Sequence, residues 1–196
     1  MPLGRRMLET ACGQLAEWRS LPGGSGLVVG VNVSHRQLSE PNFAVDLAAV
    51  LESSGLDPRA LRLEVREHDL ANDPEHTRRT LAHVLDTLGV RWQIDDFGTG
   101  ASSLRLLYRF PGDAVKIFGP LVSGMGHDGG SFEIVRAIVD LAHNLGLEVI
   151  AEGVETADQL DHLRILGCEF AQGYHVAPPL AAGDARALLT QGALVL

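Results

Sequence analysis

Six short apolar runs in the sequence each deliver a polar group near their end. These are Asn32 in GLVVGVNVS, Glu64 in LRLEVRE, the adjacent Asp95 and Asp96 in VRWQIDD, Lys116 in AVKIF, Glu152 in LEVIAEGVE and Gln172 in CEFAQGY. Glu67 and Glu155 stand shortly after Glu64 and Glu152. Carboxylates gathered in one place repel each other unless a cation neutralises them. Several carboxylates, an amide oxygen and a lysine together make the donor set of a two-ion hydrolytic site. Oxygen ligands suit the hard ions magnesium, manganese and calcium, and a carboxylate shared by two ions holds them close enough to activate water and stabilise a leaving oxygen. Such a site also lets an acidic protein accept a phosphate.

Each of these residues has a plainer use when taken alone. A single acid at a strand end caps the next helix or meets a loop lysine. Asn32 can bond the turn at VSHRQ, and Lys116 can serve as the structural partner of one acid. Six such coincidences are harder to accept than one shared site. The histidines carry less: no two stand at metal-ligand spacing, so His68, His83 and His175 read as ordinary surface or core residues. Ser102 and Ser103 read as helix caps, because neither lies in a G-x-S-x-G elbow.

Helix and strand signals alternate along the chain and decide where those groups can meet. Met7, Leu8, Ala11, Leu15 and Trp18 predict one amphipathic helix, and Phe43, Leu47, Val50 and Leu51 a second that Gly55 stops. Asp73 followed by Pro74 opens a third, which runs to Gly89. A short helix is expected from about Ser102 to Arg109, and a long one through Phe132, Val135, Ile138, Val139, Ala142 and Leu145. Thr156 and Gln159 form a capping box for the next helix, and Asp184 is expected to cap the last. Strands that are apolar nearly throughout, linked by helices, predict a parallel sheet covered on both faces, as a doubly wound sheet or a (β/α) barrel. No G-x-G-x-x-G follows the first strand and no Walker pattern occurs, which removes support for nucleotide binding of the open-sheet kind. In a parallel barrel all strand C-termini gather at one mouth. Neighbouring strand residues face opposite sides, so Asp95 and Asp96 can share a cation only where the strand ends, and Gly98 and Gly100 give the chain freedom to turn there.

The totals agree with one soluble, aliphatic-cored domain over 1–196: 196 residues, 45% apolar, 5% aromatic. A net charge of −9 argues against non-specific nucleic-acid binding, which needs basic residues to displace counterions. Cys12 and Cys168 match neither a zinc site nor a disulfide framework and read as core thiols in a reducing cytoplasm. Glu9 and Glu17 interrupt the segment after the basic MPLGRRM, so no signal sequence is expected, and no apolar run is long enough for a membrane helix.

VNVSHRQL, LRLEVRE, IDDFGTGASSL, VKI, AEGVET, LGCEFAQGY and the following PPL resemble, in order and spacing, the EAL-domain phosphodiesterases of cyclic di-GMP, from about residue 3 to residue 180. The resemblance implies a TIM-like barrel that uses two magnesium or manganese ions to open one phosphodiester bond and release linear pGpG. It implies that Asn32, Glu64, Asp95, Asp96 and Glu152 are metal ligands, with Lys116, Glu152 and Asp95 at the chemistry and Lys116 polarising the attacking water. Glu67 would anchor the DDFGTG loop, and Glu155 and Gln172 would complete the surroundings of ion and substrate. The Glu-Ala-Leu motif itself has no counterpart, so the resemblance implies an incomplete barrel with six of eight strands, a missing glutamate ligand and a chain shortened at Met1. Phe118 stands where the family has an acid, Arg66 where it has a threonine and Ala101 where an aromatic is common. A degenerate domain that binds the nucleotide or a protein without hydrolysis is the second reading, and an unrelated metal-dependent barrel of the aldolase kind the third. Two open sheet edges, at GLVVGVNVS and CEFAQGY, predict self-association. Sensory or cyclase domains are expected partners upstream.

Overall fold

A computed structural model of the protein describes residues 2–100, 103–110, 112–126 and 129–190. In chain order the elements are α1 (Pro2–Arg19), β1 (Val29–Asn32), α2 (His35–Leu38), α3 (Phe43–Ser54), β2 (Leu61–Arg66), α4 (Glu67–Ala71), α5 (Pro74–Leu88) and β3 (Arg91–Phe97). There follow α6 (Ser103–Arg109), β4 (Ala114–Ile117), α7 (Gly119–Gly124), α8 (Gly129–Asn144), β5 (Glu148–Ala151), α9 (Ala157–Leu166), β6 (Phe170–Ala171) and α10 (Ala182–Thr190). The strands form a six-stranded sheet in the order β1-β2-β3-β4-β5-β6. β1 pairs with β2 in parallel, and so do β3 with β4, β4 with β5 and β5 with β6. A doubly wound sheet reverses its strand order at a switch point. This order never reverses, which selects barrel-type winding. Among the described residues no helix is long and apolar enough to cross a membrane.

Contacts gather the chain into two compact units. The first comprises Met1–Glu64, Asp73–Arg91 and Leu180–Leu196, the second Val65–Asn72 and Trp92–Pro179.

In the first unit α1 packs on α3, and α5 on α2 and α3. The buried seam of α1 is Leu8, Cys12 and Leu15, whereas Met7 is 51% exposed. Leu8 and Leu15 of the expected face are buried and Cys12 is a core thiol as read, while Met7 falls outside the seam. α3 buries Phe43, Leu47, Val50 and Leu51 as its periodicity demands, each fully buried side chain contributing about 1.5–3 kcal/mol. Gly55 closes that helix in the left-handed conformation, φ 65°. In α5 the side chain of Asp73 accepts from the His76 N–H and Pro74 fills the first turn. α2 was not expected, although the capping box Ser34-x-x-Gln37 that opens it is legible in the sequence. In α10 Asp184 lies inside the first turn rather than at the cap.

In the second unit α8 lies across β4 and β5 and buries Val135, Ile138, Val139 and Ala142, while α7 packs against α8. The box at α9 forms as expected: Thr156 Oγ1 accepts from Gln159 N–H at 3.2 Å and Gln159 Oε1 accepts from Thr156 N–H at 3.1 Å. Glu67 does not end a strand; it opens the short helix α4.

Candidate metal centre

The puzzle of two adjacent acids is resolved in the backbone of β3. Asp96 has φ 53°, the one positive φ outside glycine among the described residues, and the β3–β4 register shifts between Ile94 and Phe97. Aspartate is one of the few L-residues that tolerate this left-handed region, at a cost of about 1–2 kcal/mol. The turn it produces breaks the strand's alternation, and both acids come to one side. Carboxylate oxygens of Asp95, Asp96 and Glu152 lie within 4.8 Å of one another.

Lys116, on β4, is inserted into this group. Its Nζ lies 3.1 Å from Asp95 Oδ1 and 2.5 Å from Glu152 Oε1. The Lys116 side chain is 5% exposed, that of Asp95 10% and that of Glu152 20%, so the ion pairs are shielded from water. Three carboxylates against one ammonium leave a formal charge of −2 at the cluster. Asp95 Oδ1 is buried and, despite its nearness to Lys116, has no hydrogen bond of good geometry. Excess negative charge and all-oxygen donors fit a hard divalent cation. No histidine or cysteine joins the cluster among the described residues.

Glu67 is placed elsewhere, under the loop that follows Asp96. It is 1% exposed, and its Oε2 accepts the N–H groups of Gly98, Thr99 and Gly100 at 3.0, 3.1 and 3.1 Å. A Cβ on Gly100 would press on Glu67 Oε1, so a larger residue there would have to displace the buried carboxylate. Ser102 and the side chain of Ser103 lie outside the described residues.

Beside the cluster opens a cleft of about 640 Å³, within the range of small-molecule sites. Asp96, Glu152, Glu155 and Gln172 line it together with Phe118, Tyr174, Pro178 and Pro179. Gln172 is tied to β5 by its N–H, which donates to Ala151 O at 2.8 Å. The sequence reading did not assign Phe118 or Tyr174 to a binding wall. The signal available was position alone: Phe118 directly follows β4, and Tyr174 stands two residues past Gln172.

In the first unit Asn32, the last residue of β1, is the register partner of Glu64, two residues before the end of β2. Asn32 Nδ2 donates to Glu64 Oε2 at 3.3 Å. A Cβ on Gly30 would lie 2.0 Å from Glu64 Oε1, so the glycine makes room for this carboxylate.

The EAL domain family model matches residues 1–179. The chain belongs to the EAL domain family. The EAL domain of Mycobacterium smegmatis DcpA is 39% identical, with a TM-score of 0.91 over 97% of this chain and 85% of that one. The PaMucR phosphodiesterase in complex with c-di-GMP is 34% identical, with a TM-score of 0.88 over 94% and 74%. Klebsiella pneumoniae BlrP1 in a manganese/cy-diGMP complex is 30% identical, with a TM-score of 0.76 over 87% and 43%. An uncharacterized protein of Mycobacterium tuberculosis is 39% identical over 184 residues, 92% of this chain. The protein y4lL of Sinorhizobium fredii is 37% identical over 188 residues, 96% of this chain. The EAL chain spans 60% and 22% of the lengths of these two relatives. Its fold is accordingly the α/β, TIM-barrel-like fold of EAL domains, with six strands among the described residues.

Proposed function

We propose that this EAL domain hydrolyses cyclic di-GMP to linear pGpG with two magnesium or manganese ions. The observation that carries the reading is the close set Asp95, Asp96 and Glu152 with Lys116 held inside it. Bound ions would supply water of lowered pKa and neutralise charge on the phosphate. Asp95, Asp96 and Glu152 would hold them, and the motif resemblance adds Asn32 and Glu64 as further ligands. Lys116, fixed by two carboxylates, presents an oriented ammonium that positions the attacking water by its N–H donors. Water oxygen joins phosphorus, the P–O3′ bond breaks, and the 3′ oxygen leaves as a hydroxyl, giving a 5′-phosphate. Glu67 keeps the loop after Asp96 in place, and Glu155 and Gln172 face the substrate from the cleft wall. We place the protein in the cytoplasm, as a homo-oligomer joined through its open sheet edges or through helices, under the control of sensory or cyclase domains.

The test is incubation with cyclic di-GMP and manganese followed by chromatography for pGpG. Wild type should produce pGpG and Glu152→Gln should not. A specific observation favours the binding-only reading: Phe118, not an acid, lines the cleft two residues after Lys116. Nucleotide binding without any pGpG would establish that second reading in place of the first.

A further inference from the structure

Phe118 is held by its backbone at the meeting of three strand ends. It directly follows β4, its N–H donates to Phe97 O at the end of β3 at 3.1 Å, and it precedes α7. The next residue, Gly119, runs against the exit of β5: a Cβ on Gly153 would lie 3.1 Å from Gly119 Cα. These contacts fix the Phe118 backbone beside the cleft, which Phe118 lines with Asp96, Glu152, Tyr174 and Pro178. Tyr174 is 67% exposed, so its ring, on the same cleft wall as Phe118, is open to solvent.

We propose that Phe118 is the surface on which one purine base of the ligand packs, so that it sets nucleotide affinity where an acid would not. The inference rests on the proposed function. A cyclic dinucleotide combines anionic phosphodiesters with two flat bases. Carboxylates can reach its phosphates only through cations, and they offer nothing to the face of a base. An aromatic ring does, and base–aromatic stacking changes affinity by roughly five- to 150-fold. A carboxylate in place of Phe118 would instead add negative charge to a cleft that already holds Asp96, Glu152 and Glu155. Packing a base on Phe118 uses the apolar wall and leaves the phosphate beside the acids.

The experiment compares the full chain with Phe118→Leu, which keeps an apolar side chain without the ring, and Phe118→Trp, which keeps the ring. Each is titrated with calcium alone, then with cyclic di-GMP in calcium buffer, by calorimetry and by NMR of the purine H8 protons. Wild type should bind and shift one H8 upfield by the ring current. Phe118→Leu should lose about tenfold in affinity and lose that shift, Phe118→Trp should retain both, and calcium affinity should be the same in all three. Equal nucleotide affinity for wild type and Phe118→Leu, or an unchanged H8 shift, overturns the inference and leaves the proposed function standing. Failure of wild type to bind cyclic di-GMP overturns both.

Discussion

Lys116→Met removes the ammonium from the acidic cluster while keeping a long apolar side chain. In buffer free of divalent ions it leaves Asp95 and Glu152 facing each other with their side chains 10% and 20% exposed. Removing one partner from a buried ion pair costs about 3–5 kcal/mol. Water still reaches Glu152, so the lower end applies, about 3 kcal/mol. At roughly 2–4 °C per kcal/mol for a chain of this size, the melting temperature should fall by roughly 6–12 °C. Manganese should then raise the variant's melting temperature by more than it raises wild type's, because the ion takes over the neutralising role of the ammonium. At a hundredfold excess over Kd an ion contributes about 2.7 kcal/mol, enough to restore most of the loss. Differential scanning calorimetry in chelator and then in manganese reads both effects. A fall of less than about 2 °C, well short of the loss worked out from the buried pair, would show that Lys116 is not what holds the acids together. Equal manganese shifts for variant and wild type would show that the ion binds somewhere else.

Other perturbations reach different parts of the same construction. Glu67→Ala should leave the Gly98, Thr99 and Gly100 N–H groups without their acceptor, lower stability by about 1–3 kcal/mol and speed hydrogen exchange over 98–100, read by mass spectrometry. Asp96→Gly should be more stable than Asp96→Ala by about 1 kcal/mol in urea denaturation, since only glycine takes φ 53° without strain. Burial pushes the Cys12 and Cys168 thiols up to about 11, so alkylation of the folded protein should be slow at neutral pH. The unfolded chain loses these protons first, near pH 9, so the thiols' contribution to stability is full below that and declines as the pH rises to about 11. Replacing both with alanine should flatten that decline in thermal melts taken across this range. If the open sheet edges drive self-association, light scattering should report more than one chain per particle, and a monomer at all concentrations would contradict it.

The order of strands and helices was legible in the sequence because each element carries local signals. The apolar period of α3, the Asp73–Pro74 start of α5 and the Thr156–Gln159 box are decided by neighbours a few residues apart. The chemical character of the site was legible for the same reason, since the donors stand at the ends of recognisable strands. In α1 the burial of Leu8, Leu15 and the thiol of Cys12 was legible, but the exposure of Met7 was not, because hydrophobicity alone does not distinguish adjacent rows of a helix. A turn after the acid pair was expected from Gly98 and Gly100, but not the left-handed conformation of Asp96 itself, which accompanies a register shift against a distant strand. Phe118 was visible only as a departure from a motif until the cleft it lines was formed by chain segments far apart in sequence. Residue types alone supplied the acids, the lysine and the strands that carry them. Only tertiary structure decided that Lys116 pairs with both Asp95 and Glu152, since Coulomb interactions depend on distance in space and not on separation along the chain.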